Sequence, residues 1–259
     1  MSLSKFESEL LTEWLSEMQS NEAKYKEPIL DIRCSILLKE VCSMLRQDIH
    51  VFVFSINILE EYISRKTQMQ QDINDPALTL MATVFISSKY IGDQDLKSKY
   101  IESVLRKISG QRVSSKTLKL KEMEILKVLD NCLPLVNDVD DLNTFIVKFE
   151  KESKIKATII PLCMDILEML YLTRNQWFFE LKVLYTNNNE ALSVFKRLMK
   201  NRLYLPMGIL LYVFNHTLYT HSFDVSEITN DLSVHSQIHV DHLNALVSKI
   251  HDVIGQIPV

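Results

Sequence analysis

Asp75-Pro76-Ala77-Leu78-Thr79-Leu80-Met81-Ala82-Thr83-Val84-Phe85-Ile86-Ser87-Ser88-Lys89 is the stretch that decides how this chain folds. Aspartate can accept from the free amides of a first helical turn, and proline suits the position after it. From Pro76 to Ser88 there is no charged residue. Ala77, Leu80, Met81, Val84 and Phe85 recur at helical spacing, while Ala82 and Ile86 fall elsewhere on the same cylinder. A helix apolar nearly all round needs neighbours on every side. The stretch therefore predicts a central helix within a helical unit.

Amphipathic segments surround it. Toward the N-terminus, 49–65 carries Phe52, Ile56, Leu59 and Ile63, and 29–46 carries Ile29, Ile32, Ile36 and Leu37 as its expected inner side. Before Pro28, residues 3–19 repeat Phe6, Leu10 and Trp14 at every fourth position, which predicts an N-terminal helix within 1–27. Toward the C-terminus, 96–109 presents Ile101, Val104, Leu105 and Ile108 before Gly110. A long helix over 114–133 and Pro134 close the first unit.

The second half repeats this order. Helices are expected over 138–151, 156–172, 203–221, 224–233 and 236–254, the third of which has no Asp, Glu, Lys or Arg from Leu203 to Phe223. Pro206, Asn215 and His216 make that stretch too polar for a membrane span. Residues 173–202, with Trp177, Phe178 and Phe179 in a row, do not fit the repeat and are read as an insertion between its second and third helices. The expected architecture is all-α: an N-terminal helix at 1–27 and two tandem five-helix units at 28–134 and 135–259, the second with an insertion at 173–202.

Composition agrees. Four glycines and six prolines in 259 residues leave few tight turns for short strands. Cys34, Cys42, Cys132 and Cys163 form no CxxC pair and are read as small hydrophobes of a reducing compartment. The first twenty residues alternate apolar and acidic groups, unlike a secretory signal.

No Gly-rich phosphate loop, GxSxG or HExxH occurs, and no catalytic constellation is recognisable. An enzyme is not expected, nor a cofactor. His235, His239 and His242 stand at i, i+4 and i+7, a metal-like spacing, but lack a fourth ligand and are read as polar side chains on one helical face. Ten Lys and Arg stand against five Asp and Glu between Ser87 and Lys127, although the net charge is −4. This surplus is read as lacking interleaved aromatics, so direct nucleic-acid binding is not expected and a solvated or partner-facing surface is.

Glu122 is the sharpest single signal. At 100° per residue it falls within the apolar arc of Leu118, Ile125, Leu126, Leu129, Cys132 and Leu133. A carboxylate there is costly unless paired. Lys89, the first charge after the uncharged helix, is its natural counterpart. Spacing leaves two readings open: an internal ion pair fastening two helices, or a patch that meets a partner.

Three runs resemble the cyclin box. Ile32-Arg33-Cys34-Ser35-Ile36-Leu37 resembles its opening, with Arg33 at the typical arginine. Phe85-Ile86-Ser87-Ser88-Lys89 is similar to its alanine–serine–lysine signature, and Glu122-Met123-Glu124-Ile125-Leu126-Lys127-Val128-Leu129 to its glutamate-led fifth helix. The resemblance implies a non-catalytic regulatory subunit of a cyclin-dependent kinase, with Lys89, Glu122 and Arg33 at partner contacts. Trp177, Phe178 and Phe179 are added as candidate contacts because one helical face cannot bury three consecutive aromatics. Lys39 and Glu40 stand where many cell-cycle cyclins have the tryptophan of a substrate-docking groove. The pattern at 122–129 and the insertion look most like the cyclin N-terminal domain-containing branch, which works in meiotic crossover maturation. That implies a nuclear protein with recombination factors as further partners. The rival expectation is a cyclin-fold adaptor that binds recombination or transcription factors without activating a kinase.

Overall fold

The computed structural model describes Glu13, Ser16 and residues 25–92, 96–110, 112–134, 137–149, 153–216 and 225–255. The helix expected within 1–27 lies outside them apart from those two positions, which are helical, and 25–27, which are not. Among the described residues there are twelve α-helices and no strand. The chain divides into two compact units: Pro28–Asn137, and Asp138–Val259 together with Met1–Glu27.

The first unit contains α1 (Ile32–Met44), α2 (Ile49–Gln68), α3 (Pro76–Ile91), α4 (Ser98–Ser109) and α5 (Ser115–Val128). Its helix starts are written into the sequence. Asp31 accepts from the Cys34 amide at 2.8 Å, Asp48 from Val51 at 3.1 Å, Asp75 from Leu78 at 3.1 Å and Ser114 from Thr117 at 3.2 Å. Every residue of α3 from Leu78 to Ser88 is buried, and α1, α2, α4 and α5 all pack on it. The central position read from its missing charges is the one it occupies. Its buried hydroxyls bond within the core, with Ser55 Oγ 2.9 Å from Ser87 Oγ and Ser87 Oγ donating to the Thr83 carbonyl at 2.9 Å. Gly110 takes φ +71° after α4, a conformation that glycine adopts without strain.

Two helices depart from expectation. α1 buries Ser35, Leu38, Val41 and Cys42, while Ile29, Ile32 and Ile36 are exposed. Both stripes have helical spacing, and the small residues fit closest to the core. α5 ends at Val128 rather than near 133, because Asp130 and Asn131 take left-handed φ values of +53° and +56°. Cys132 therefore lies exposed in a turn, whereas Cys42 and Cys163 are buried.

The second unit contains α6 (Asp138–Phe149), α7 (Ser153–Leu172), α8 (Arg174–Val183), α9 (Asn189–Lys200), α10 (Tyr204–His216), α11 (Val225–Ser236) and α12 (Val240–Gly255). Here α10 is central, buried from Met207 to Phe214 and touched by α6, α7, α11 and α12. Gly208 lets α12 approach: a Cβ there would collide with the Leu246 side chain. α8 and α9 fill the span 173–202, between the second helix of the unit and its central one. The polar fastening is Asp141 on α6, fully buried and held by Arg202 through bonds of 2.6 and 3.0 Å. Burial pushes the Asp141 carboxyl up to about 6 against the pull of that guanidinium. No described helix is long and apolar enough to cross a membrane.

Candidate functional site

Lys89 and Glu122 meet. Lys89 comes from the last turn of α3 and Glu122 from the middle of α5, and Nζ stands 2.5 Å from Oε1. The same ammonium lies over the Phe85 ring, 3.9 Å from its centroid. Glu122 is 12% exposed and Lys89 39%, so the pair lies where the packed edge of the two helices opens to solvent. It is not a buried internal pair. Tyr90 and Met123, the next residue on each helix, are 57% and 55% exposed. The pair is thus fixed by an aromatic ring, and each of its residues is followed by an exposed aromatic or thioether side chain. Such a surface suits a protein partner with its own charged anchor.

The buried arc of α5 is Leu118, Lys121, Ile125 and Leu129, with Glu122 at its edge. Sequence periodicity missed Lys121, because a buried lysine leaves no periodic signal. Its Nζ donates to Glu124 at 2.7 Å and to the Asn74 carbonyl at 3.2 Å. Glu124 also accepts from Tyr62 Oη at 2.7 Å and pairs with Lys66 at 3.0 Å. Burial opposes the charge of Glu124, but these three donors outweigh it and hold the carboxyl down at about 2. This network ties α5 to α2 and is a fastening, distinct from the Lys89–Glu122 edge.

Arg33 is 89% exposed and stands 3.5 Å from Asp31, a loose pair beside the capping carboxylate. The buried carboxylate nearby is Glu60, which accepts from the Ile29 amide at 2.9 Å. The aromatic row separates by face. Trp177 and Phe178 are buried, Trp177 donating Nε1–H to the Leu170 carbonyl at 2.8 Å and Phe178 meeting Phe195 edge-on at 5.3 Å. As side chains of the core of their unit they offer nothing to a partner, which corrects their place among the contact residues. Phe179 alone of the three is exposed, at 39%.

The histidines do not share one helical face. α11 ends at Ser236, Gln237 turns with φ +57°, His239 precedes α12, and His242 lies on α12. His239 pairs loosely with Asp241, while His242 Nδ1 meets Tyr185 Oη at 2.8 Å. Burial lowers the His242 pKa. Among the described residues no three His, Cys, Asp or Glu side chains are grouped to hold a metal.

No family model matches the chain, and no curated protein matches it. Among solved structures it is similar to a viral cyclin from herpesvirus saimiri, with 17% identity and a TM-score of 0.63 over 95% of this chain and 97% of that one. At that identity the likeness speaks for the fold. Together with the central α3, its counterpart α10 and the all-helical units around them, it establishes that this chain has the cyclin fold.

Proposed function

We propose that the chain is a divergent cyclin: a non-catalytic regulatory subunit that binds a cyclin-dependent kinase through the edge formed by α3 and α5. The observation that carries this reading is the Lys89–Glu122 pair at the rim of the core, with Tyr90 and Met123, the residues that follow in each helix, exposed. An ion pair whose task was only to fasten α3 to α5 would gain most from several donors, as Glu124 has in Tyr62, Lys66 and Lys121. This one is left open on the side of the lysine. Docked against a kinase helix, the Glu122 carboxylate would be desolvated against donors of the partner, and the exposed side chains would supply apolar area. Arg33 and the exposed Ile32 and Ile36 of α1 offer a further contact surface. Within the family, the run 122–129 and the added helices α8 and α9 favour the branch that acts in meiotic crossover maturation, and with it a nuclear location.

The test is affinity capture from meiotic cells with the wild-type chain, Lys89→Ala and Glu122→Ala, followed by mass spectrometry of bound kinases. The reading expects a cyclin-dependent kinase with the wild type and its loss with both variants. Equal capture of the kinase by all three would leave the cyclin fold without this interface.

A further inference from the structure

The basic surplus between Ser87 and Lys127 becomes a defined surface once its pairings are known. Of its described carboxylates, Glu122 is held by Lys89, Glu124 by Lys121, Lys66 and Tyr62, and Glu102 accepts from the Ser115 hydroxyl. Lys99, Arg106, Lys107 and Arg112, by contrast, are exposed and make no ion pair among the described residues. On α4 the buried side is Ile101, Val104 and Leu105. The opposite side is Lys99, Tyr100, Ser103, Arg106 and Lys107, at spacings of one, four, seven and eight residues, which a helix gathers on one face. Tyr100 is 64% exposed. It supplies the interleaved aromatic that the sequence was read as lacking. Arg112, beyond Gly110, is a further exposed cation.

We infer that this face of α4 binds single-stranded nucleic acid, its cations along the phosphate backbone and Tyr100 stacked on a base. Lys99 and Lys107 are about 12 Å apart along the helix axis, enough to follow successive phosphates of one strand. A phenol ring on a convex helix face cannot reach a base stacked inside a duplex, but it can lie against an unpaired one. An acidic peptide would also find the charge. However, the face presents no aliphatic side chain to seat the apolar anchors that such segments use. The remainder of the molecule is acidic overall, so a polyanion is drawn to the basic span 87–127 to which this face belongs.

The experiment is fluorescence-anisotropy titration of a short labelled oligothymidylate with the full chain at several salt concentrations. Binding should weaken with salt, and Arg106→Gln/Lys107→Gln should lower the slope of log K against log salt by about 1.4, for two phosphates no longer neutralised. Tyr100→Ala should weaken binding roughly tenfold, and Tyr100→Phe should restore it. Melting temperatures of these surface variants should match the wild type. Lys89→Ala should bind the oligonucleotide normally, which separates this site from the kinase edge. Three results would each overturn the inference: no binding of the oligonucleotide at low salt, equal binding of the matching duplex with no effect of Tyr100→Ala, or preferential binding of polyglutamate.

Discussion

Replacing Asp141 with alanine should be among the most damaging single changes in the second unit. Its carboxylate is fully buried, and both oxygens are held by Arg202, which is itself 13% exposed. Alanine would leave that guanidinium nearly enclosed without its counter-charge. Breaking a buried pair from one side costs about 3–5 kcal/mol, a large share of the ~5–15 kcal/mol that holds a domain together. The pair as a whole is worth much less. The carboxyl is pushed up to about 6, so burial outweighs the attraction of Arg202. The sign follows from linkage: a raised folded pKa favours the native state fully below the ordinary value near 3.8, and this contribution is lost as pH rises through about 6. Asp141→Leu/Arg202→Met should therefore recover most of the loss above pH 6, within roughly 1 kcal/mol of wild type. Urea denaturation followed by circular dichroism would measure both variants. A cost below about 1 kcal/mol for Asp141→Ala would refute the reasoning, as would a double variant no more stable than the single one.

Two further outcomes are expected. Glu124 is held down at about 2 by its donors, so its contribution is full above the ordinary 4.5 and is lost as pH falls from there toward 2. Glu124→Gln should flatten that part of an acid-denaturation profile, and an unchanged profile would count against the Tyr62–Lys66–Lys121 network. Trp177→Ala should cost about 3–5 kcal/mol by emptying a core site, whereas Phe179→Ala, at an exposed position, should change the melting temperature little. Equal effects in calorimetry would mean that the two faces of α8 are wrongly assigned.

The architecture was legible where one chemical feature admitted one reading. The uncharged run 76–88 could only be enclosed, and Asp75, Gly110 and the uncharged run beginning at Leu203 punctuate the repeat as the structure does. Legibility failed where two faces had the same period. On α1 the isoleucines and the Ser35–Leu38–Cys42 stripe are both helical in spacing, and only packing chooses between them. The end of α5 depended on two left-handed residues without glycine, and the three histidines on a break at Gln237 that their spacing concealed. At the candidate site, the pairing of Lys89 with Glu122 could be anticipated because Glu122 falls within an apolar arc and Lys89 is the first charge after the uncharged run. Its exposure could not, since that depends on how far α3 and α5 extend past the core. Tyr100 was overlooked because its single ring lies among lysines that only the helix brings onto one face.

The most direct measurement is the affinity of a purified cyclin-dependent kinase for the wild-type chain and for Glu122→Ala, by titration calorimetry, with thermal melting of both chains recorded alongside. The pair is open to solvent, so its loss should cost the free protein about 0–1 kcal/mol and barely move the melting temperature. In the proposed complex the same carboxylate would be desolvated, and its removal should weaken binding by about 2–5 kcal/mol. Kinase binding that is unchanged in a normally folded Glu122→Ala variant would contradict the assignment of this edge as the kinase interface.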